Sequence, residues 1–177
     1  MPIINSIESY EISNLDYSSK EFLQDFLSYC VHSIPEDGME SKSLSVRIKF
    51  TNIFLQKLKK CDHSLLMKNK QGEKMCYIFL KEEDKGEALM IDFIFPSENI
   101  KNTTHKEKST LFTISAIKLM KLFDVSTIKG KITRTNKIKG YITFIKRYIK
   151  YIELSETNQN IQATITKDKV LPYYAKL

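Results

Sequence analysis

Three apolar segments follow one another between Ser64 and Pro96, separated only by short polar turns. Residues 64–69 run into Lys70-Gln71-Gly72-Glu73. Residues 74–81 run into the turn at 82–86, and residues 87–95 stop at Pro96. Strand-length apolar runs joined by short glycine-bearing turns predict an antiparallel meander. That pattern commits the middle of the chain to a sheet and excludes a helical bundle, a collagen or a coiled coil. A polar loop over 96–108 follows, then a helix over 110–123, with Ser109 well placed to cap it. Leu111, Phe112, Ile114, Ile117, Leu119 and Met120 cover much of that helix's circumference. A helix apolar on so many sides belongs in the interior, packed on the sheet.

The flanking segments complete a mixed layout. Residues 6–13 alternate as a first strand, and Ser18 or Ser19 caps a helix over 20–33. The stretch 45–60 reads as a helix, although Leu44, Val46, Ile48 and Phe50 alternate like a strand. Later segments predict a strand over 126–134, a helix over 137–147, and strands over 148–154 and 161–166, with a turn over 157–160 between the last two. The fold class is therefore α/β, with a mixed, mostly antiparallel central sheet and flanking helices. No repeat or linker-like cluster divides the 177 residues, which predicts a single domain over 1–177. The apolar end of the chain, 168–177, has two readings. It is a tail that docks on a partner, or it packs on its own domain.

Charge is distributed unevenly. Residues 1–100 carry 12 basic and 16 acidic side chains, and residues 101–177 carry 16 basic and 5 acidic ones. Between Val125 and Ile152 there are eight basic residues and no acidic one. So one-signed a segment is either a solvated lysine-rich face or a site for a phosphate-bearing partner on 129–150. Cys30, Cys61 and Cys76 are too scattered for a disulfide framework, and His32, His63 and His105 do not join them at zinc-site spacing. No metal site is expected. No apolar run is long enough for a membrane span and no secretory leader is visible, so the expected setting is cytoplasmic, without membrane partners.

One stretch carries a family resemblance. Arg134-Thr135-Asn136-Lys137 at a strand end, followed by a helix containing Phe144-Ile145-Lys146-Arg147, resembles the late segment of the GCN5-related N-acetyltransferases (GNAT). The order of elements over 64–154 is similar to theirs as well. The resemblance implies acetyl-coenzyme A (acetyl-CoA) as cosubstrate and an amine as acyl acceptor. In that family the Asn and a Tyr of the helix lie beside the thiol end of the cosubstrate. Here the Asn falls on Asn136, and the Tyr is either Tyr141 or Tyr148. The family holds the pyrophosphate on a glycine-rich loop before the third helix. That place is taken here by His105-Lys106-Glu107-Lys108-Ser109-Thr110, and no glycine lies between Gly86 and Gly130. Lys106, Lys108, Ser109 and Thr110 are then the residues left to hold phosphate. The substitution marks a divergent or degenerate member. It leaves open an inactive domain kept as an assembly component with protein partners, for example in a virus particle, where it would be virion-associated.

The chemistry narrows the catalytic candidates. Acyl transfer from a thioester to an amine needs a polarised carbonyl, a deprotonated amine and a protonated leaving thiolate. The resemblance implies that a backbone N–H near residues 93–95 polarises the carbonyl. Asp92 is the only acidic residue within 88–95 and is the candidate base, or else simply a residue of a polar face. Glu87 is a weaker alternative. Tyr141 and Tyr148 are candidate acids, against the reading that both are packing residues. Asn136 equally suits a helix cap. Cys76, flanked by Met75 and Tyr77, reads as a buried inert thiol. Lys139-Gly140-Tyr141-Ile142-Thr143-Phe144 faintly resembles the RNA-recognition-motif signature but departs from it at the fourth and fifth positions; the basic 129–150 face is what keeps a nucleic-acid-binding module as a further alternative.

Overall fold

The computed structural model describes residues 9–33, 43–97, 104–133, 138–156 and 160–174. Its elements in chain order are β1 (Tyr10–Asn14), α1 (Lys20–Ser33), α2 (Leu44–Leu58), β2 (His63–Asn69), β3 (Lys74–Glu83), β4 (Ala88–Pro96), α3 (His105–Phe123), β5 (Thr127–Thr133), α4 (Ile138–Tyr148), β6 (Glu153–Glu156), β7 (Asn160–Thr166) and α5 (Lys167–Tyr174). The strands form one seven-stranded sheet in the order β1-β2-β3-β4-β5-β7-β6. Neighbours pair antiparallel except β4 and β5, which are parallel. Parallel neighbours need a crossover, and the long apolar helix α3 supplies it.

Helices cover both faces, and β3 shows why. All of Met75–Leu80 is buried, which is the unbroken apolar run of a strand covered on two sides. On one face Ile78, Leu80, Leu89, Ile128 and Ile165 pack with α3, α4 and α5. On the other, Tyr77 and Phe79 pack with Phe22 and Phe26 of α1 and Leu55 and Leu58 of α2. That second core is pinned by polar contacts. Tyr17 Oη donates to the Leu58 carbonyl at 3.1 Å, and Tyr77 Oη donates to Asp25, which also takes Lys74 Nζ at 2.8 Å.

Several expectations need correction. The loop before α3 is shorter than expected: the helix starts at His105, and its cap is Thr104, not Ser109. Thr104 and Glu107 form a reciprocal capping box, each taking the other's backbone N–H. Ser109 lies inside α3, buried. The strand expected over 148–154 is only β6, because Tyr148 ends α4. The stretch 45–60 is helical from Leu44, as the i, i+4 rhythm of its second half demands. The helix expected over 137–147 is present as α4, and residues 139–144 lie within it. As far as Tyr174 the end of the chain is α5, seated on the first core through Val170. The turn over 157–160 lies outside the described residues except for Asn160, which opens β7.

Candidate functional site

The site begins where β4 and β5 part. Their described pairs run from Ala88 with Thr127 to Ile91 with Gly130. Beyond these, the described pairs of β4 are with β3 only, and those of β5 with β7 only. A β-bulge sits at the same point. Phe79 of β3 faces Phe93 of β4, and Leu80 faces Ile91, so Asp92 is the extra residue left out of the ladder. A bulge of this kind bends the strand and frees backbone groups from their partners.

A largely apolar cavity of about 200 Å³ opens at this split, lined by residues such as Ile91, Ile94, Gly130, Ala163, Phe144 and Ile149 together with Asp92, Lys129 and Lys131. It lies on the α3/α4 side of the sheet. Gly130 and Ala163 face each other across β5 and β7, between the larger pairs Ile128–Ile165 and Ile132–Ile161. Two small residues side by side leave a hollow in the apolar floor, and a Cβ built on Gly130 would meet no atom within 4 Å. The roof is held in place from α3. Ser109 Oγ donates to the Tyr148 carbonyl at 2.7 Å, partly buried, and Thr113 shares a buried 2.6 Å hydrogen bond with Tyr151 Oη.

The opposite side of the split is charged. The Asp92 carboxylate takes Lys81 Nζ at 3.2 Å and the Cys61 thiol at 3.6 Å. Lys129 Nζ stands 3.5 Å from a Glu83 oxygen. Alternation along the strands accounts for this sidedness: Lys81 and Glu83 follow Phe79 on the α1/α2 face, while Ile128, Gly130 and Ile132 point the other way. The split thus joins an apolar compartment to one holding two carboxylates and two ammonium groups. Burial, then the neighbouring Asp92, pushes the Cys61 thiol up to about 11, so it is protonated at neutral pH. Burial pushes Cys76 up to about 12, in line with an inert thiol.

The other sequence candidates are placed as follows. Tyr148 belongs to an aromatic cluster. Its ring lies 5.7 Å from His105 and 5.4 Å from Phe144, with the Arg147 guanidinium 5.5 Å away. Tyr141 is in α4; its ring lies outside the described residues. So do Asn136 and the side chain of His32. Thr110 Oγ1 donates back to the Lys106 carbonyl at 2.9 Å, and the Ser109 hydroxyl is committed to α4. Lys106 and Lys108 flank Glu107 in the first turn of α3. The Thr104 N–H holds the Glu107 carboxyl below the usual carboxylate range, so a negative charge sits where helix N–H groups would otherwise receive an anion. The start of α3 therefore fits a pyrophosphate poorly, whereas the split and its cavity suit a thioester.

Lys81, Cys61, Glu83 and Ala163 were not singled out by the sequence. The alternation of Lys81 and Glu83 at the end of β3 was the available signal for the first and third. Ala163 and Cys61 come to the site only through sheet register and the packing of α2.

No protein-family model matches the chain, and no curated protein matches it. Solved structures do. Spermidine N-acetyltransferase from Vibrio cholerae, in complex with CoA and spermine, superposes with a TM-score of 0.56 at 9% identity, covering 93% of this chain and 99% of that one. The N-acetyltransferase PseH of Campylobacter jejuni, in complex with acetyl-coenzyme A, gives a TM-score of 0.54 at 10% identity over 89% of this chain and 99% of its own. FdhC, a nucleotide-linked sugar GNAT, gives 0.53 at 8% identity over 95% and 92%. Among the described residues no helix is long and apolar enough to cross a membrane. The seven-stranded sheet, the single parallel β4–β5 junction and these superpositions together give the chain the GCN5-related N-acetyltransferase fold, in a highly divergent sequence.

Proposed function

We propose that the protein is an N-acyltransferase that moves an acyl group from a coenzyme A thioester to a cationic amine in the β4–β5 split. The observation that carries this reading is the junction itself. The parallel pairing ends at Ile91 and Gly130 over a largely apolar cavity that Asp92 also lines, its carboxylate engaged by Lys81. The thioester carbonyl lies in the split, where backbone N–H groups of β4 beyond the bulge polarise it. The amine arrives from the charged side, where it displaces the Lys81 ammonium from Asp92 or the Lys129 ammonium from Glu83. Asp92 takes a proton from the ammonium, and the free amine attacks the carbonyl carbon. The N–C bond forms and the C–S bond breaks. The nitrogen sheds its second proton, and the departing thiolate takes one up, leaving an amide, a thiol and one released proton. Tyr141 and Tyr148 are the candidate donors to the thiolate, and Asn136 is the candidate partner for a pantetheine amide.

Calorimetric titration with acetyl-CoA tests the reading. Micromolar binding, about −8 kcal/mol, is expected; no heat at millimolar ligand overturns it. The start of α3 supplies a sharper prediction. Glu107→Gln keeps a side chain that can cap while removing a negative charge from the pyrophosphate's place. At about 6 Å in a water-like dielectric one unit charge is worth about 0.7 kcal/mol, so affinity rises about threefold. Unchanged affinity would mean that the phosphates bind elsewhere. A second reading, a non-catalytic assembly component, draws on the same capping box, and loss of all thioester binding would favour it.

A further inference from the structure

The Asp92 carboxylate already holds an amine, and that amine belongs to the chain itself. We infer that Lys81 is an acyl acceptor of the β4–β5 split, so that the protein acylates its own Lys81 Nζ when a thioester is bound and no other amine displaces it. The inference rests on the acyltransferase reading and names one nucleophile of that site.

Lys81 lies on β3 and points, like Phe79, to the α1/α2 face. Its ammonium stands 3.2 Å from an Asp92 oxygen, and 42% of its side chain is exposed, so the amine can leave the carboxylate without disturbing the core. Asp92 is the extra residue of the bulge and lines the cavity at the split. An amine on that carboxylate therefore waits beside the place of the thioester carbonyl. The lysine stem is flexible, and attack needs an approach of about 3–3.5 Å. Because the nucleophile is tethered to β3, the encounter is intramolecular and needs no capture from solution. Two other lysines line the cavity, but neither is held by this base. Lys129 Nζ is paired with Glu83, and Lys131 lies past the last β4–β5 pair. The Cys61 thiol shares the carboxylate at 3.6 Å but is protonated at neutral pH, which favours an amide on lysine over a thioester on cysteine.

In the step, Asp92 takes one proton from the Lys81 ammonium and the free amine attacks the carbonyl carbon. The N–C bond forms and the C–S bond breaks. The nitrogen sheds its second proton and the thiolate takes one up, leaving an amide, a thiol and one released proton. The amide nitrogen is uncharged, so its pair with Asp92 ends and the carboxylate is left to an incoming amine.

The test incubates the full chain with acetyl-CoA and no added amine, and follows acetylation of each lysine by peptide mass spectrometry. Lys81 should be acetylated on the order of ten times faster than any other lysine, as an intramolecular acceptor. The adduct should survive hydroxylamine, and an excess of a cationic amine should suppress it. Asp92→Asn slows the Lys81 reaction about 10²-fold or more while leaving the background rate of the other lysines unchanged, with a thermal melt to show that the variant folds. Lys81→Arg keeps a cation beside Asp92 and removes the adduct. Acetylation spread evenly over the lysines, or equal at Lys81 in Asp92→Asn, overturns the inference, since solution chemistry then accounts for it. An adduct on Lys129, or one on Cys61 that hydroxylamine removes, also overturns it. An unmodified Lys81 in a protein that acylates added amines overturns the self-acylation and leaves the acyltransferase reading intact. Acylation of neither overturns both.

Discussion

Asp92→Asn lowers kcat for amine acylation about 10²- to 10⁴-fold, the range for loss of a positioned general base. The substitution is nearly isosteric, so the bulge at the end of the β4–β5 pairing survives. Lys81 and the Cys61 thiol keep an oxygen to contact, whereas the proton acceptor is gone. Thioester affinity should change far less than kcat, because the carboxylate is engaged by Lys81 and the Cys61 thiol and asparagine keeps the shape of this part of the cavity lining. The split between kcat and affinity is the diagnostic readout. A variant that merely loosens the sheet would weaken thioester binding too. Retention of kcat within threefold would remove Asp92 from the mechanism and shift the search to Glu83 across the same compartment.

Phe79→Ala has the largest expected effect on stability. Phe79 is fully buried at the centre of the core between the sheet and α1/α2, with the Tyr17 ring 6.3 Å away and the Phe22 ring 6.4 Å away. It also stands at the bulge, opposite Phe93. Truncating a buried phenylalanine costs about 3–5 kcal/mol, through lost transfer energy and the cavity left behind. For a chain of this length each kcal/mol lowers Tm by about 2–4 °C. A denaturant or thermal melt should therefore show a loss of about 6–20 °C. A loss under 1 kcal/mol would mean that α1 and α2 collapse into the gap, and that this core is far softer than its aromatic packing indicates.

The elements with a clean period were legible in the sequence. The rhythm of Phe22, Phe26 and Cys30 gave α1 to the residue, and the meander of β2, β3 and β4 followed from its short turns. The start of α3 was misread. Ser109 precedes the densest apolar run, but its hydroxyl is used to hold α4. The true start carried its own signature, Thr104 with Glu107 three residues later. The helix α5 was missed because Pro172 argues against a helix, although Val170 had an apolar core to fill. Asp92 could be found as the lone acid of an apolar strand. The rest of the site could not. The Gly130–Ala163 hollow exists only through the register of β5 on β7, and Cys61 reaches Asp92 only through the seating of α2. Pairings between residues 31 or 33 positions apart leave no trace in local periodicity.

The central claim is chemical, and thiol release measures it directly. The purified chain is mixed with acetyl-, hexanoyl- or octanoyl-CoA and an excess of each of a panel of cationic amines, and free coenzyme A is followed with a thiol reagent. The predicted result is amine-dependent release with at least one thioester, stoichiometric with amide by mass spectrometry and suppressed at least 100-fold in Asp92→Asn. No amine-dependent release from any of the thioesters, with folded protein and millimolar amine, would contradict the claim and leave a GNAT fold without its chemistry.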